Sequence, residues 1–135
     1  MKTQKIISLG LRIIAAVILI QTLYFKFTAH PESVVLFTKL GVEPWGRIGT
    51  GVLELVTALL LLLPATAFVG GLVAMGLMLG AIAAHLLVIG IESMGDGGQL
   101  FILAIVVLFC SVVILVLHQQ QGLALARKFF TDAFR

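Results

Sequence analysis

The chain reads as an all-α integral membrane protein, a four-helix bundle with a short amphipathic interfacial helix between spans 1 and 2. Three observations predict this. Of 135 residues, 61% are hydrophobic and 11% charged, and the mean hydropathy is +1.20. Such a chain has too little polar surface to enclose its own apolar residues as a soluble domain. Four apolar stretches each approach the roughly 20 residues needed to cross about 30 Å of hydrocarbon. Between the first two lies a polar stretch with a helical pattern of its own. A single membrane domain over residues 1–135 is expected, with the lipid bilayer as its main partner.

The first span covers about residues 6–27. Lys2 and Lys5 precede it as the basic region of a signal sequence would, yet no small-x-small cleavage site follows, so an uncleaved anchor is expected. In the stretch from His30 to Gly46, Pro31 suits a first helical turn, Val34, Phe37 and Leu40 share one face, and Gly41 suits the stop. That pattern predicts a helix lying at the interface. The second span, about 47–63, ends at the helix breaker Pro64, and Pro64-Ala65-Thr66 makes a tight hairpin into the third, about 66–91. Gly76, Gly80 and Ala84 recur at every fourth position of the third span, a small-residue stripe that predicts close approach of another helix. The fourth span covers about 99–117, and residues 119–135 form a basic amphipathic tail.

Basic residues orient the bundle. With both termini cytoplasmic, Lys2, Lys5, Arg12, Arg127, Lys128 and Arg135 lie on the inner side against Lys26, Lys39 and Arg47 outside. The loop from Glu92 to Gly98 then carries only acidic charge, and Tyr24 and Trp45 form an outer aromatic belt. A multi-pass protein of the cell inner (plasma) membrane follows. The net charge of +3 is explained by these topology signals and by anionic headgroups, and no nucleic acid partner is expected.

Lys26, Glu54 and His85 sit in three different spans, and this threading brings them toward the outer side. Glu54 lies roughly 10 Å inside the start of the second span and His85 roughly 9 Å inside the end of the third. Lys26 closes the first span on a stem long enough to reach inward. Charges at such depth are costly unless paired or hydrated, which makes intramembrane ionisable groups candidates for function. Gln99 opens the fourth span on the same side, with Asp96 just before it, so a fourth helix can close the site. Arg47 falls on the Glu54 face, Met78 on the His85 face, and Phe37 and Met78 are expected to supply apolar walls. Gly51, Ala58, Ala81 and Ala84 are expected to leave room beside the polar groups. The plainer alternatives are that Lys26, Arg47 and Arg12 are snorkelling anchors and that Glu54 forms a structural pair with Lys26 or His85. His30 and His118 read as interfacial residues, and Gln21 points away from the Lys26 face.

Several chemistries are excluded or unsupported. A lone Cys110 cannot run a membrane thiol–disulfide exchange, and it offers no thiolate spacing for a metal. Only His85 among the histidines lies within a span, where haem would call for two across the bundle. No phosphate loop, nucleophile elbow or His-Glu-x-x-His pattern is present. No metal and no intrinsic cofactor are expected.

The chain resembles the DoxX-like membrane proteins. The resemblance runs through Leu11-Arg12-Ile13-Ile14, Tyr24-Phe25-Lys26, the stretch from Phe37 to Pro44, Gly51-Val52-Leu53-Glu54-Leu55 and Ala83-Ala84-His85. It implies a four-helix membrane protein with relatives in quinone-linked sulfur oxidation and membrane oxidoreductase complexes, and Arg12, Lys26, Glu54 and His85 match its polar pattern. The leading expectation is an accessory subunit of a membrane redox system, with oxidoreductase partner subunits. Its outer-leaflet pocket would hold a quinone or other small lipophilic ligand, with Lys26 or His85 bonding a carbonyl and Glu54 relaying a proton. The alternatives are a non-catalytic structural or interaction protein and a small proton-coupled exporter.

Overall fold

A computed structural model describes residues Met1–Arg135. Six α-helices and no strand make up the chain: α1 (Lys2–Phe27), α2 (Pro31–Lys39), α3 (Trp45–Leu62), α4 (Ala67–Ala84), α5 (Gln99–Leu117) and α6 (Gln119–Ala133). A single 3₁₀ turn, Pro64–Thr66, joins α3 to α4, and a π-helical turn, His85–Ile89, extends α4. The four membrane-spanning segments are Lys2–Phe27, Trp45–Leu62, Pro64–Ile89 and Gln99–Leu117, each long and apolar enough to cross a bilayer. The third stops two residues short of the expected Ile91, because Gly90 leaves the helix at φ +90°, a conformation that only glycine adopts without strain.

The spanning helices close a ring in which α1 packs on α3, α3 on α4, α4 on α5, and α5 back on α1. Each turns a narrow stripe inward at helical spacing. On α1 it is Ser8, Arg12, Ala15, Ala16, Leu19 and Leu23; on α3, Arg47, Gly51, Glu54, Thr57, Ala58 and Leu61. The fully enclosed core consists of small or branched residues, among them Ala15, Ala58, Ala67, Ala74, Val107 and Ile114. Small side chains let helices approach closely where lipid offers no hydrophobic drive for association. At Gly70 the approach is to backbone itself: a Cβ there would stand 2.9 Å from the backbone nitrogen of Leu61.

The small-residue stripe expected to receive a helix is not the packed one. Gly76 and Gly80 are exposed, and a Cβ on either would meet nothing within 4 Å. The close contact is made by Ala67, Gly70, Gly71, Ala74 and Met78 instead, which lie on another face of α4.

A short helix, α2, does form between spans 1 and 2. Pro31 occupies its first turn and the imidazole of His30 accepts the Glu32 amide. It packs on α1, α3 and the π turn. Its inward face is centred on Ser33 and Phe37. At the other end of the bundle, α6 is held by Gln121, whose Oε1 accepts the Phe68 amide (3.0 Å) and whose Nε2 donates to the Pro64 carbonyl (2.6 Å). Beyond that clamp Phe129, Phe130 and Phe134 are exposed.

Candidate functional site

Lys26 lies in the last turn of α1 and Glu54 midway along α3, where the two helices pack side by side. Lys26 Nζ stands 3.0 Å from Glu54 Oε2, with both side chains about nine-tenths shielded from solvent (12% and 8% exposed). Thr22, one turn before Lys26 on the same face, places its hydroxyl 3.1 Å from Glu54 Oε2, while also reaching the Leu19 carbonyl at 2.8 Å. The carboxylate therefore has a cationic donor, as a charge at this depth requires, and a share of the single Thr22 hydroxyl proton. Sequence reasoning missed Thr22; its i, i+4 spacing from Lys26 was the available signal.

His85 opens the π turn at the end of α4. Its Nδ1 lies 2.8 Å from the Gly90 carbonyl, and the Gly90 amide in turn donates to the His85 carbonyl at 2.7 Å. The ring meets Phe101 of α5 edge to face, centroids 5.6 Å apart. Asp96 organises the loop that follows. Its Oδ1 accepts the amides of Ser93 (3.0 Å) and Gly98 (2.8 Å), and its Oδ2 accepts that of Leu100 (3.1 Å). Burial raises the pKa of Asp96. The amides of Leu100, Ser93 and Gly98 outweigh it and hold the carboxyl below its ordinary 3.8.

These groups share one cavity of about 510 Å³ at the α2 end of the bundle. Lys26, Glu54, His85, Gln99 and Asp96 all line it, together with Thr22, Thr50 and Ser33. Phe37 and Leu36 of α2, Met78 and Leu77 of α4, and Leu103 of α5 supply apolar walls. Gly76, Gly80, Ala81 and Ala84 form one side, so the unpacked stripe of α4 is a cavity wall. No group of three or more His, Cys, Asp or Glu side chains converges to hold a metal ion.

Several expectations are corrected. Glu54 pairs with Lys26, one of its two expected partners, and it shares the cavity with His85 without a hydrogen bond between them. Gln21, expected to point away, lines the rim. Gly51 and Ala58 contribute no room: the Phe27 ring lies 2.8 Å from where a Gly51 Cβ would be, and Ala58 is sealed in the core. Arg47 does not line the cavity. It is buried in the first turn of α3, bonded through Nε to both Glu43 oxygens (2.8 and 3.0 Å) and donating to the Lys26 carbonyl. It locks the end of α1 to the start of α3 and is not a snorkelling anchor.

Arg12 also does not snorkel. It is buried near the opposite end, where Nη1 donates to the carbonyls of Leu61 (3.1 Å) and Leu62 (3.3 Å), groups that the end of α3 leaves without helical partners. Its Nε donates to Ser8 Oγ at 3.1 Å, and Ser8 meets His118 Nε2 at 2.6 Å. His118, expected as an interfacial residue, belongs to a polar node joining α1, α3 and the α5–α6 junction. Burial, then the charge of Arg12, lowers its pKa from the ordinary 6.5.

Four apolar helices beside a partly open cavity, with an ion pair and a histidine in its lining, define a multi-pass membrane helix bundle. The sequence model of the DoxX-like family matches residues 10–114, and the chain belongs to that family. The match takes in every residue of the cavity lining, while α6 lies outside it. No curated protein matches the chain, and no solved structure does.

Proposed function

We propose that the protein binds a small lipophilic molecule, a quinone or a compound of similar shape and polarity, as an accessory subunit of an inner-membrane redox system. The observation that carries this reading is the cavity of about 510 Å³, within the roughly 300–1,000 Å³ range of ligand sites. Its apolar walls suit a ring and tail. Lys26 and Gln99 supply donors for ring oxygens, and His85 adds a polar ring to the same lining. In this reading both termini are cytoplasmic, α2 lies at the outer interface and partly covers the pocket, and the site opens to the outer leaflet. The exposed rings of Tyr24 and Trp45 near that end fit an outer aromatic belt.

A structural role is the second reading, supported by the completeness of the polar pairing: no buried side-chain nitrogen or oxygen lacks a hydrogen-bond partner. Mass spectrometry of lipophilic molecules retained by gently purified protein separates the two. A discrete retained species, together with quinone affinity in nanodiscs that falls in a Glu54→Ala protein that still folds, supports ligand binding. No retained species, and equal affinity in the two proteins, assigns the cluster to scaffolding.

A further inference from the structure

His85 presents its two ring nitrogens to different surroundings. Nδ1 is bonded to the Gly90 carbonyl, and a carbonyl oxygen can only accept, so Nδ1 carries the proton. In the neutral ring Nε2 is then an acceptor with a free lone pair. His85 is 3% exposed and no buried side-chain nitrogen is left without a partner. The unbonded Nε2 is therefore accessible, and the space His85 lines is the cavity. Lys26, in the same lining, has only donors, and Glu54 takes one of them. The cavity thus offers an acceptor at His85 and a donor at Lys26.

We infer that the cavity selects ligands bearing a hydroxyl, of phenol or hydroquinone type, which donates to His85 Nε2 while a second oxygen accepts from Lys26 Nζ. A fully oxidised quinone has two acceptor oxygens and leaves Nε2 without a partner. A hydroxyl-bearing ring satisfies both ends. The π turn is what fixes this polarity, since it brings the Gly90 carbonyl to Nδ1. A regular helical turn at residues 85–89 would carry that carbonyl elsewhere. This inference rests on the ligand-binding reading above and adds the hydrogen-bonding sense of the ligand.

The test uses redox-inert probes, para-decylphenol and its methyl ether para-decylanisole, with decylbenzoquinone as a third arm. Binding to the full chain in nanodiscs is measured at matched mole fractions in the lipid, so that partitioning is equal. The phenol is expected to bind about tenfold more tightly than the ether, the scale of one buried hydrogen bond. The preference should disappear in His85→Phe, which keeps a ring and lacks the acceptor, and persist in part in His85→Gln. Equal binding of phenol and ether to the wild type overturns the inference whatever the variants do, while leaving a ligand-binding cavity. Binding by none of the three probes overturns the ligand-binding reading itself.

Discussion

Lys26 Nζ and Glu54 Oε2, 3.0 Å apart, tie the last turn of α1 to the middle of α3 and form the charged part of the cavity wall. Because the pair is internally neutral, it can stand at membrane depth. Each partner also makes the other expensive to lose.

Removing one partner of a buried pair typically costs about 3–5 kcal/mol, whereas replacing both with apolar residues is often nearly neutral. Glu54→Leu is therefore expected to destabilise by about 3 kcal/mol. Glu54→Gln should cost less, because its amide oxygen still accepts from Lys26 and Thr22. Lys26→Met combined with Glu54→Leu should recover most of the loss. Thermal unfolding in detergent, followed by Trp45 fluorescence, provides the double-mutant cycle; additive losses in the double variant would show that the pair is not coupled.

Arg12→Ala should destabilise by roughly 2–3 kcal/mol, since it leaves two carbonyls at the end of α3 and the Ser8 hydroxyl without their donor. Arg12→Lys keeps the charge without the planar fork and should fall between. Hydrogen exchange should locate the damage at the α3–α4 turn and the start of α6. Unchanged protection there would contradict the capping role of Arg12.

Two windows of acid sensitivity follow from the lowered pKa values. His118 has its folded pKa below the ordinary 6.5, so the folded state binds fewer protons than the unfolded one just below that pH. Its contribution is present above 6.5 and lost as the pH falls through the lower folded value. His118→Gln should flatten the stability profile in this window. Asp96, held below 3.8, contributes fully above that value and loses the contribution only as the pH drops further. Asp96→Ala should instead speed amide exchange at Ser93, Gly98 and Leu100 at neutral pH. A profile for His118→Gln that matches the wild type would remove the histidine from the argument.

Orientation is open to direct labelling. In a Cys110→Ser background, single cysteines at positions 39 and 95 should react with an impermeant maleimide from outside intact cells, and one at position 2 only after permeabilisation. The reverse pattern would invert the bundle and place the cavity in the inner leaflet.

The amino-acid sequence by itself determined the four spans, the short helix after Pro31, the basic tail, and the gathering of Lys26, Glu54 and His85 at one end. Span length and hydropathy are local properties, and depth follows from counting residues at 1.5 Å each. Which groups meet depends on the rotation of every helix about its axis and on the order of helices around the ring, and only the tertiary structure decided these. It paired Glu54 with Lys26 and Thr22, turned His85 onto Gly90, and drew Arg12 and Arg47 inward, where carbonyls at helix ends and Glu43 outcompete the headgroups. It also left Gly76 and Gly80 open while packing α4 through Gly70 and Ala74. Periodicity marks each set of residues as sharing a face, yet both faces of α4 carry small residues, so pattern alone could not say which meets a helix and which borders the cavity.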